Sequence, residues 1–187
     1  MKMIKNIFSR LHVYVLWLLA SAVLWGWVFT LVTDAPQAEK VVVFVDAYGC
    51  EDTALAEALG EDLPAGIRMV QVHPFSYAMF NDSELLSADI YIMRASDAAD
   101  RADSIAPLDT IPFDPGGAAL CEIGGTACGV MIHAAGGAAS GFIQYEDGGA
   151  PAEDYYLFFN RESPHTGETD TAAVTVAARL LALEGMP

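Results

Sequence analysis

A long apolar run near the N-terminus constrains this chain more than any other feature of its sequence. Residues 11–32 read LHVYVLWLLASAVLWGWVFTLV and contain no Asp, Glu, Lys or Arg. At about 1.5 Å per residue, a helix of this length crosses a hydrocarbon core of about 30 Å. The sequence therefore predicts one transmembrane signal-anchor helix over residues 11–33.

The charges that flank the apolar run predict its orientation. Residues 1–10 carry three bases and no acid, whereas residues 34–39 carry two acids and no base. Because Lys and Arg are retained on the cytoplasmic side of a membrane, we expect residues 1–10 to form a short cytoplasmic tail. Residues 34–39 then form a tether in the extracytoplasmic space, and residues 40–187 form an extracytoplasmic domain attached to the cell membrane by a single pass.

A cleaved signal peptide is the competing interpretation of the apolar run. The tripeptide ASA at residues 20–22 matches the pattern of small residues that signal peptidases recognise. It lies in the middle of the run, however, and mostly apolar residues follow it. At the end of the run, TDA at residues 33–35 precedes Pro36, which disfavours cleavage there. The sequence therefore favours a retained anchor.

The rest of the chain is strongly acidic. All 25 acids lie beyond the apolar run together with six bases, which gives this part a net charge of −19 against −16 for the whole chain. Such a surface repels the phosphates of nucleic acids and anionic lipid headgroups. We therefore exclude nucleic acid as a partner.

The three cysteines leave two alternatives open. Cys121 and Cys128 flank the pair Gly124-Gly125, and in an oxidising compartment this spacing permits a small bridged loop. The odd number of cysteines, with Cys50 as the third, instead favours three free and partly buried thiols. If a disulfide forms, the pair Cys121 and Cys128 is the candidate.

Strand and helix patterns alternate through the first part of the acidic region. The run VVVFV at residues 41–45 is typical of a strand buried on both faces. Leucines and alanines recur at helical spacing from residue 51 onward, and acids in that first turn suit the helix dipole. We predict strands at 41–45, 67–72 and 88–93, and helices at 51–63, 77–87 and 96–105. This order predicts right-handed crossovers and a mainly parallel sheet covered on both faces.

Glycine and alanine dominate residues 109–154, where the pattern is less regular. Two strand-like segments at 129–135 and 141–146, joined by small residues, predict a hairpin. The run YYLFF at 155–159 predicts a further strand, and one-sided apolar spacing at 171–183 predicts a closing helix. The sequence therefore predicts a single α/β domain over residues 40–187.

Residues 41–109 resemble the first lobe of the extracytoplasmic solute-binding proteins of ABC importers, which have the type 2 periplasmic-binding fold. The resemblance is carried by the opening strand VVVFVDAYG, the strand IRMVQV, and SADIYIM followed by APLD. It implies a transport-associated module that interacts with an ABC transporter or another envelope protein. That family has two lobes with the ligand between them, whereas residues 40–187 are enough for about one lobe. We expect residues from 116 onward to make a shortened excursion before the chain returns to the first lobe.

Four residues at predicted strand ends form a candidate ligand site. In open parallel sheets, ligands bind at the carboxyl ends of the strands. Tyr48 follows the first strand, His73 the second, and Arg94 and Asp97 the third. The alternative is that these side chains cap helices and close loops.

Patterns of metal and catalytic sites do not occur at the expected spacing. The histidines at 73, 133 and 165 do not form an H-x-x-x-H pattern, and the acids of residues 146–154 lack the spacing of an EF-hand. Ser140 lies in GAASG, but Ala138 occupies a position where the nucleophile elbow requires glycine. We therefore predict neither a catalytic residue nor a metal, and no cofactor.

Three functional hypotheses follow from these observations. The leading one is a non-catalytic, membrane-anchored module that resembles one lobe of a solute-binding protein. The second is a small-molecule binding or sensing domain, which needs a second wall from residues 110–154 or from a dimer. The third is an envelope enzyme, which requires His133 or His165 close to Ser140 and an acid. Because the expected tail is about ten residues long, a sensor would signal through another protein.

Overall fold

The computed structural model describes residues 11–33, 35–75, 88–146, 148–149 and 151–185. The chain divides into two compact units, Met1–Pro36 and Gln37–Pro187. The predicted helix at residues 77–87 and the predicted tail at residues 1–10 lie outside the described residues.

The first unit contains one long helix, α1 (Leu11–Thr33). Its large apolar side chains, such as Leu16, Trp25 and Phe29, are exposed on all sides, so it has no polar face of the kind that surface helices of soluble domains carry. Among the described residues, it is the one helix long and apolar enough to cross a membrane. The predicted helix is confirmed.

The second unit is a mixed α/β domain. Its described strands are β1 (Lys40–Val45), β2 (Gly49–Cys50), β3 (Met69–Pro74), β4 (Ile90–Arg94), β5 (Leu120–Ile123), β6 (Thr126–His133), β7 (Ile143–Gln144) and β8 (Tyr155–Phe159). Its described α-helices are α2 (Asp52–Leu59), α3 (Ala95–Ala99) and α4 (Ala172–Leu183), with short 3₁₀ turns at Gln37–Glu39, Ala102–Ser104 and Leu108–Thr110.

Six of the described strands form the central sheet, in the order β3-β1-β4-β8-β6-β5. β3, β1 and β4 are parallel neighbours, whereas β8 runs antiparallel to both β4 and β6. Consequently β6 points in the same direction as β1, β3 and β4, and the sheet is mainly parallel by strand direction, as predicted. β2 and β7 form a separate two-stranded ribbon.

The hairpin predicted between residues 129–135 and 141–146 is wrong. β6 pairs with β5 and β8, while β7 pairs with β2. The hairpin is instead β5–β6, and it turns at Gly124-Gly125, whose φ angles are 62° and 83°. Positive φ at both central residues is what a two-residue type I′ turn requires.

Two predicted helices are shorter in the structure. The helix predicted at 51–63 ends at Leu59, because Gly60 is a poor helix former and Asp62 has a left-handed φ of 49°. The helix predicted at 96–105 is the single turn of α3 followed by a 3₁₀ turn. The strand at 155–159 and the closing helix are confirmed almost to the residue.

Both faces of the sheet are covered, which confirms what the run VVVFV predicts. Val41, Val43 and Val45 pack into one core together with side chains of α2 and α4. Val42 and Phe44 pack into a second core on the opposite face. Full burial stabilises each such side chain by about 1.5–3 kcal/mol, so β1 is held in place from both sides.

Candidate functional site

Arg94 and Asp97, two of the four predicted site residues, are brought together at the carboxyl edge of the sheet. The Arg94 Nε donates to Asp97 Oδ2 at 2.7 Å, and its Nη1 donates to Glu153 Oε2 at 3.0 Å. Burial raises the pKa of the nearby Asp46, and the Asp97 carboxylate raises it further. The carboxylates of Asp97 and Glu153 thus compensate the charge of the Arg94 guanidinium, and Arg94 connects the end of β4 to the loop that carries Glu153.

The other two predicted site residues, His73 and Tyr48, make neither of the ion pairs of Arg94. His73 is in register with Phe44 and therefore faces the second core, whereas Arg94 continues the face of Ile92, which lies in the first core. β1 also separates β3 from β4. Tyr48 lies just beyond β1 with 47% of its surface exposed. The structure thus separates His73 from the other predicted site residues.

A pocket of about 370 Å³ opens at the same edge of the sheet, beside the β2–β7 ribbon. It is lined by residues 49–51, by residues between 137 and 146, and by His133. His133 is the last residue of β6, which points in the same direction as the parallel strands. The pocket therefore lies where ligands bind in open α/β sheets, at a strand end that the sequence pattern does not reveal.

His133 is the polar side chain that distinguishes this pocket. Its ring stacks on Tyr145, with centroids 4.2 Å apart and an interplanar angle of 12°. The side chain is 93% buried, and its Nε2 has no hydrogen-bond partner among the described residues. Leaving a buried polar atom without a partner costs about 1–3 kcal/mol, and such a cost in a folded protein calls for an explanation.

The loop between β6 and β7 (residues 134–142) forms one wall of the pocket. The amides of Ala135 and Gly136 donate to Asp154 Oδ1 at 2.8 Å and Glu146 Oε1 at 3.0 Å. At Gly137, a Cβ would lie 2.8 Å from the carbonyl oxygen of residue 134 and 3.2 Å from His133 Cε1. Only glycine therefore fits at 137, and its close approach to the imidazole shapes the pocket.

Glu184, at the end of α4, connects this wall to the helix. Ser140 Oγ donates to Glu184 Oε1 at 2.7 Å and accepts from the amides of Phe142 and Ile143, each at 3.0 Å. The hydroxyl of Tyr145 donates to Glu184 Oε2 at 3.2 Å. Burial raises the pKa of Tyr145, and the Glu184 carboxylate raises it further, so the phenol stays a hydrogen-bond donor.

The nucleophiles near the pocket are not activated. Burial raises the pKa of Cys50 to about 11, assisted by Asp52, Glu184 and Glu51, so its thiol is protonated at neutral pH and a poor nucleophile. Ser140 bonds to an acid and to backbone amides, without a bond to a histidine in the described part of the chain. The enzyme hypothesis stays untested.

The hydrogen-bond partners of His165 do not include Ser140. Its Nδ1 lies 2.8 Å from Asp170 Oδ2 and its Nε2 lies 3.1 Å from the carbonyl oxygen of Gln37. The described residues contain no group of three His, Cys, Asp or Glu side chains that could hold a metal ion. His165 thus connects Asp170 with the backbone of Gln37 through its two ring nitrogens.

The thiols of Cys50, Cys121 and Cys128 are free in the structure. Cys128 is the extra residue of a β-bulge opposite Cys121 and Glu122, and burial raises the pKa of both Cys121 and Cys128. The two buried thiols lie on neighbouring strands, where Cys128 interacts electrostatically with Cys121. The disulfide between them stays a prediction.

Sequence reasoning considered His133 only as a metal ligand or a catalytic base, and it missed Tyr145 and Glu184. These residues are distant in the chain, and no local motif connects them. The one available signal was the run of small residues at 134–141, which leaves room beside a strand end.

Comparison with known proteins gives no match to a family model, to a curated protein or to a solved structure.

Proposed function

We propose that this protein is a membrane-anchored domain that binds a small molecule in the pocket at His133. The observation that carries this proposal is a buried imidazole nitrogen without a partner, on a side chain that lines an open pocket. A ligand that supplies the missing hydrogen bond would recover the cost of leaving Nε2 unpaired. The domain would then be a binding or sensing module.

The size and composition of the pocket support binding of a metabolite-sized molecule. Its volume of about 370 Å³ falls within the range of about 300–1,000 Å³ that is typical of small-molecule sites. The lining combines apolar groups such as Phe142 and Ile143 with a few polar side chains. The second wall that the sensing hypothesis requires comes from residues 134–146, within the same compact unit.

The imidazole can offer its nitrogen to the pocket by a simple rotation. Nε2 is itself enclosed in the structure, but the Cε1 corner of the ring faces Gly137, which lines the pocket. A half-turn of the ring exchanges Nε2 and Cε1 while the stacking on Tyr145 is preserved. A ligand next to Gly137 would therefore favour this ring orientation.

The first unit and the flanking charges support the membrane anchor in this proposal. α1 is long and apolar enough to cross a membrane, and the basic N-terminal flank favours a cytoplasmic N-terminus. The binding domain would accordingly lie outside the cytoplasm.

The alternative proposal is the module that resembles one lobe of a solute-binding protein and contacts an ABC transporter or another envelope protein. The parallel order β3-β1-β4, with α2 between β1 and β3, favours it. The ion pairs of Arg94 with Asp97 and Glu153 are also consistent with a strand edge that is closed by its own loops. In this case ligands would not bind, and the described surface would act through protein contacts.

The test is a thermal-melting screen of the full-length protein in detergent micelles. All three tryptophans lie in the apolar run, so unfolding of the domain is followed by far-ultraviolet circular dichroism. The panel contains sugars, amino acids, organic acids and amines. A ligand at a hundredfold excess over its Kd should add about 2.7 kcal/mol, which corresponds to roughly 5–10 °C in a chain of this size.

Three variants assign any shift to a site. His133→Phe keeps an aromatic ring on Tyr145 but removes the nitrogens, so it should abolish the shift. Gly141→Leu places a side chain at the pocket where a Cβ meets no atom within 4 Å, and it should also reduce the shift. His73→Phe is the matched control, because it makes the same change at the predicted strand-end site. A shift that survives His133→Phe, or a flat response to the whole panel, would overturn the proposal.

A further inference from the structure

The described Asp, Glu, Lys and Arg side chains that line the pocket are all acidic. Glu51 and Glu146 line it, and Glu184 lies directly behind Ser140 and Tyr145. No Lys or Arg occurs among the described residues that line the pocket. The acids also act inside the pocket, because Glu184 and Glu51 contribute to the raised pKa of the Cys50 thiol after burial and Asp52.

Two of these carboxylates have capacity left for a ligand. Glu51 precedes α2 without making a side-chain cap, and its exposed carboxylate has no hydrogen bond or ion pair within the described part of the chain. One oxygen of Glu146 accepts from the amide of Gly136, which leaves the second oxygen open. Carboxylates in this state can each accept further hydrogen bonds.

Three polar side chains of the pocket, by contrast, already donate to other groups. The hydroxyls of Ser140 and Tyr145 both donate to Glu184, and the amide nitrogen of Gln144 donates to the carbonyl oxygen of Glu146. The described side chains of the lining therefore present mostly acceptors to a ligand: the two glutamates and the side-chain oxygen of Gln144. His133 Nε2 can complete this set, since an imidazole nitrogen accepts or donates according to its tautomer.

We infer that the ligand of this pocket is a small organic cation that carries a primary ammonium group. This inference rests on the proposed function, because it names the class of molecule that the pocket binds. A primary ammonium has three donors and no acceptor, which matches the open carboxylate and amide oxygens of the lining side chains. Glu51 and Glu146 supply the compensating charge.

The same features disfavour the other ligand classes. A carboxylate or phosphate would approach two glutamates, with no Lys or Arg among the described lining residues to offset them, and like charges at close range are repulsive. A neutral polyol matches the acceptors but gains no charge-assisted hydrogen bonds, which are roughly twice as strong as neutral ones. The amine is therefore the ligand that these side chains stabilise most.

The experiment compares ligands of matched shape by isothermal titration calorimetry on the full-length protein in micelles. The pairs are putrescine with 1,4-butanediol and glucosamine with glucose, and glutarate serves as the anion. We expect binding of at least one amine and none of its neutral partner or of glutarate. Raising the salt concentration should weaken the binding of the amine, because salt screens the attraction between exposed charges.

Charge-removing variants locate the interaction. Glu51→Gln should weaken amine binding by about three- to fivefold, as expected for a partly exposed ion pair, and the further change Glu146→Gln should weaken it again. Glu57→Gln is the matched control, because Glu57 is exposed on α2 but does not line the pocket. Equal effects of Glu51→Gln and Glu57→Gln would overturn the inference.

The outcomes for the ligand class and for the proposed function are distinguishable. Binding of glucose, butanediol or glutarate that is lost in His133→Phe would overturn the ammonium inference and leave the binding pocket supported. Failure of every class of compound, amines included, would overturn the proposed function itself. Amine binding that His133→Phe leaves unchanged would place the cation elsewhere on the acidic surface and overturn both.

Discussion

At the scale of single residues, His133 carries a stability cost, because a buried ring nitrogen lacks a hydrogen-bond partner among the described residues. Its Nε2 is buried without a partner among the described residues, while its ring gains packing from Tyr145. Removing both nitrogens eliminates an unsatisfied polar atom and keeps the stacked ring. Binding sites commonly hold such locally unfavourable groups, because the ligand supplies the missing interaction.

We therefore expect His133→Phe to unfold at a higher denaturant concentration than the wild-type protein when no ligand is present. The gain should be about 1 kcal/mol, which is the low end of the cost of a buried unpaired group, because the larger ring needs some room beside Gly137. The free energy of unfolding is measured by urea titration in micelles. Gly141→Ala is the control and should leave it unchanged, and a loss of stability in His133→Phe beyond that control would contradict this account.

Gly129 is constrained by the close packing of β6 against β8. It lies on β6 opposite Phe158 of β8, and a Cβ at this position would overlap the Phe158 ring. The missing side chain lets the fully buried ring lie against the backbone of β6. The packing of the second core thus depends on one glycine in the middle of a strand, where glycine has no conformational advantage.

At the scale of elements, we expect Gly129→Ala to destabilise the domain by about 1–3 kcal/mol, as overpacked cores do. The change is measured as a fall in the melting temperature of the full-length protein. Gly141→Ala adds the same methyl group where no atom lies within 4 Å and should change little. The double variant Gly129→Ala/Phe158→Leu should recover part of the loss, and additive losses would argue against the proposed overlap.

At the scale of the whole domain, His165 links the beginning and the end of the compact unit. Both ring nitrogens face oxygen acceptors, one on Asp170 and one on the backbone of Gln37. The protonated ring donates to both, whereas a neutral ring leaves one nitrogen facing an acceptor. Burial alone lowers the pKa of His165, but the bonds to Gln37 and Asp170 outweigh burial and the pKa is raised.

The sign of the resulting pH dependence follows from linkage. Because the pKa of His165 is higher in the folded state than its unfolded value of about 6.5, its contribution to stability is fully present below pH 6.5. That contribution is lost as the pH rises through the folded pKa. Asp170→Asn removes the carboxylate but keeps an oxygen for the amide of Ala172, which Asp170 Oδ1 now holds at 3.1 Å.

We therefore expect Asp170→Asn to lower the melting temperature more at pH 6 than at pH 9. The measurement is a pair of melts at each pH for the wild-type protein and the variant. Asp114→Asn is the control, because the Asp114 carboxylate accepts from the amide of Gly116 without a histidine, and its effect should be the same at both pH values. If Asp170→Asn lowers the melting temperature equally at pH 6 and pH 9, His165 does not titrate as described.

Strong local patterns were predictable from the sequence alone. The run of residues 11–32, which contains no Asp, Glu, Lys or Arg, predicts α1, because an apolar run of this length is typical of a membrane-spanning helix. The run VVVFV predicts β1 with both faces buried, and YYLFF and the last helix follow from equally local periodicity. Each of these elements is specified by neighbours within a few residues, so sequence reasoning could locate it.

Tertiary structure alone decided the pairing of the C-terminal strands and the position of the pocket. The short strand β5 has little local signal, and its partner β6 is defined by hydrogen bonds across the sheet. The carboxyl-edge rule points to the edge at which the pocket lies, but the direction of β6 depends on β8, which comes later in the chain. His133, Tyr145 and Glu184 meet only when β6, the loop after it and α4 are packed together. Long-range packing, which no local periodicity encodes, therefore assembled the candidate site.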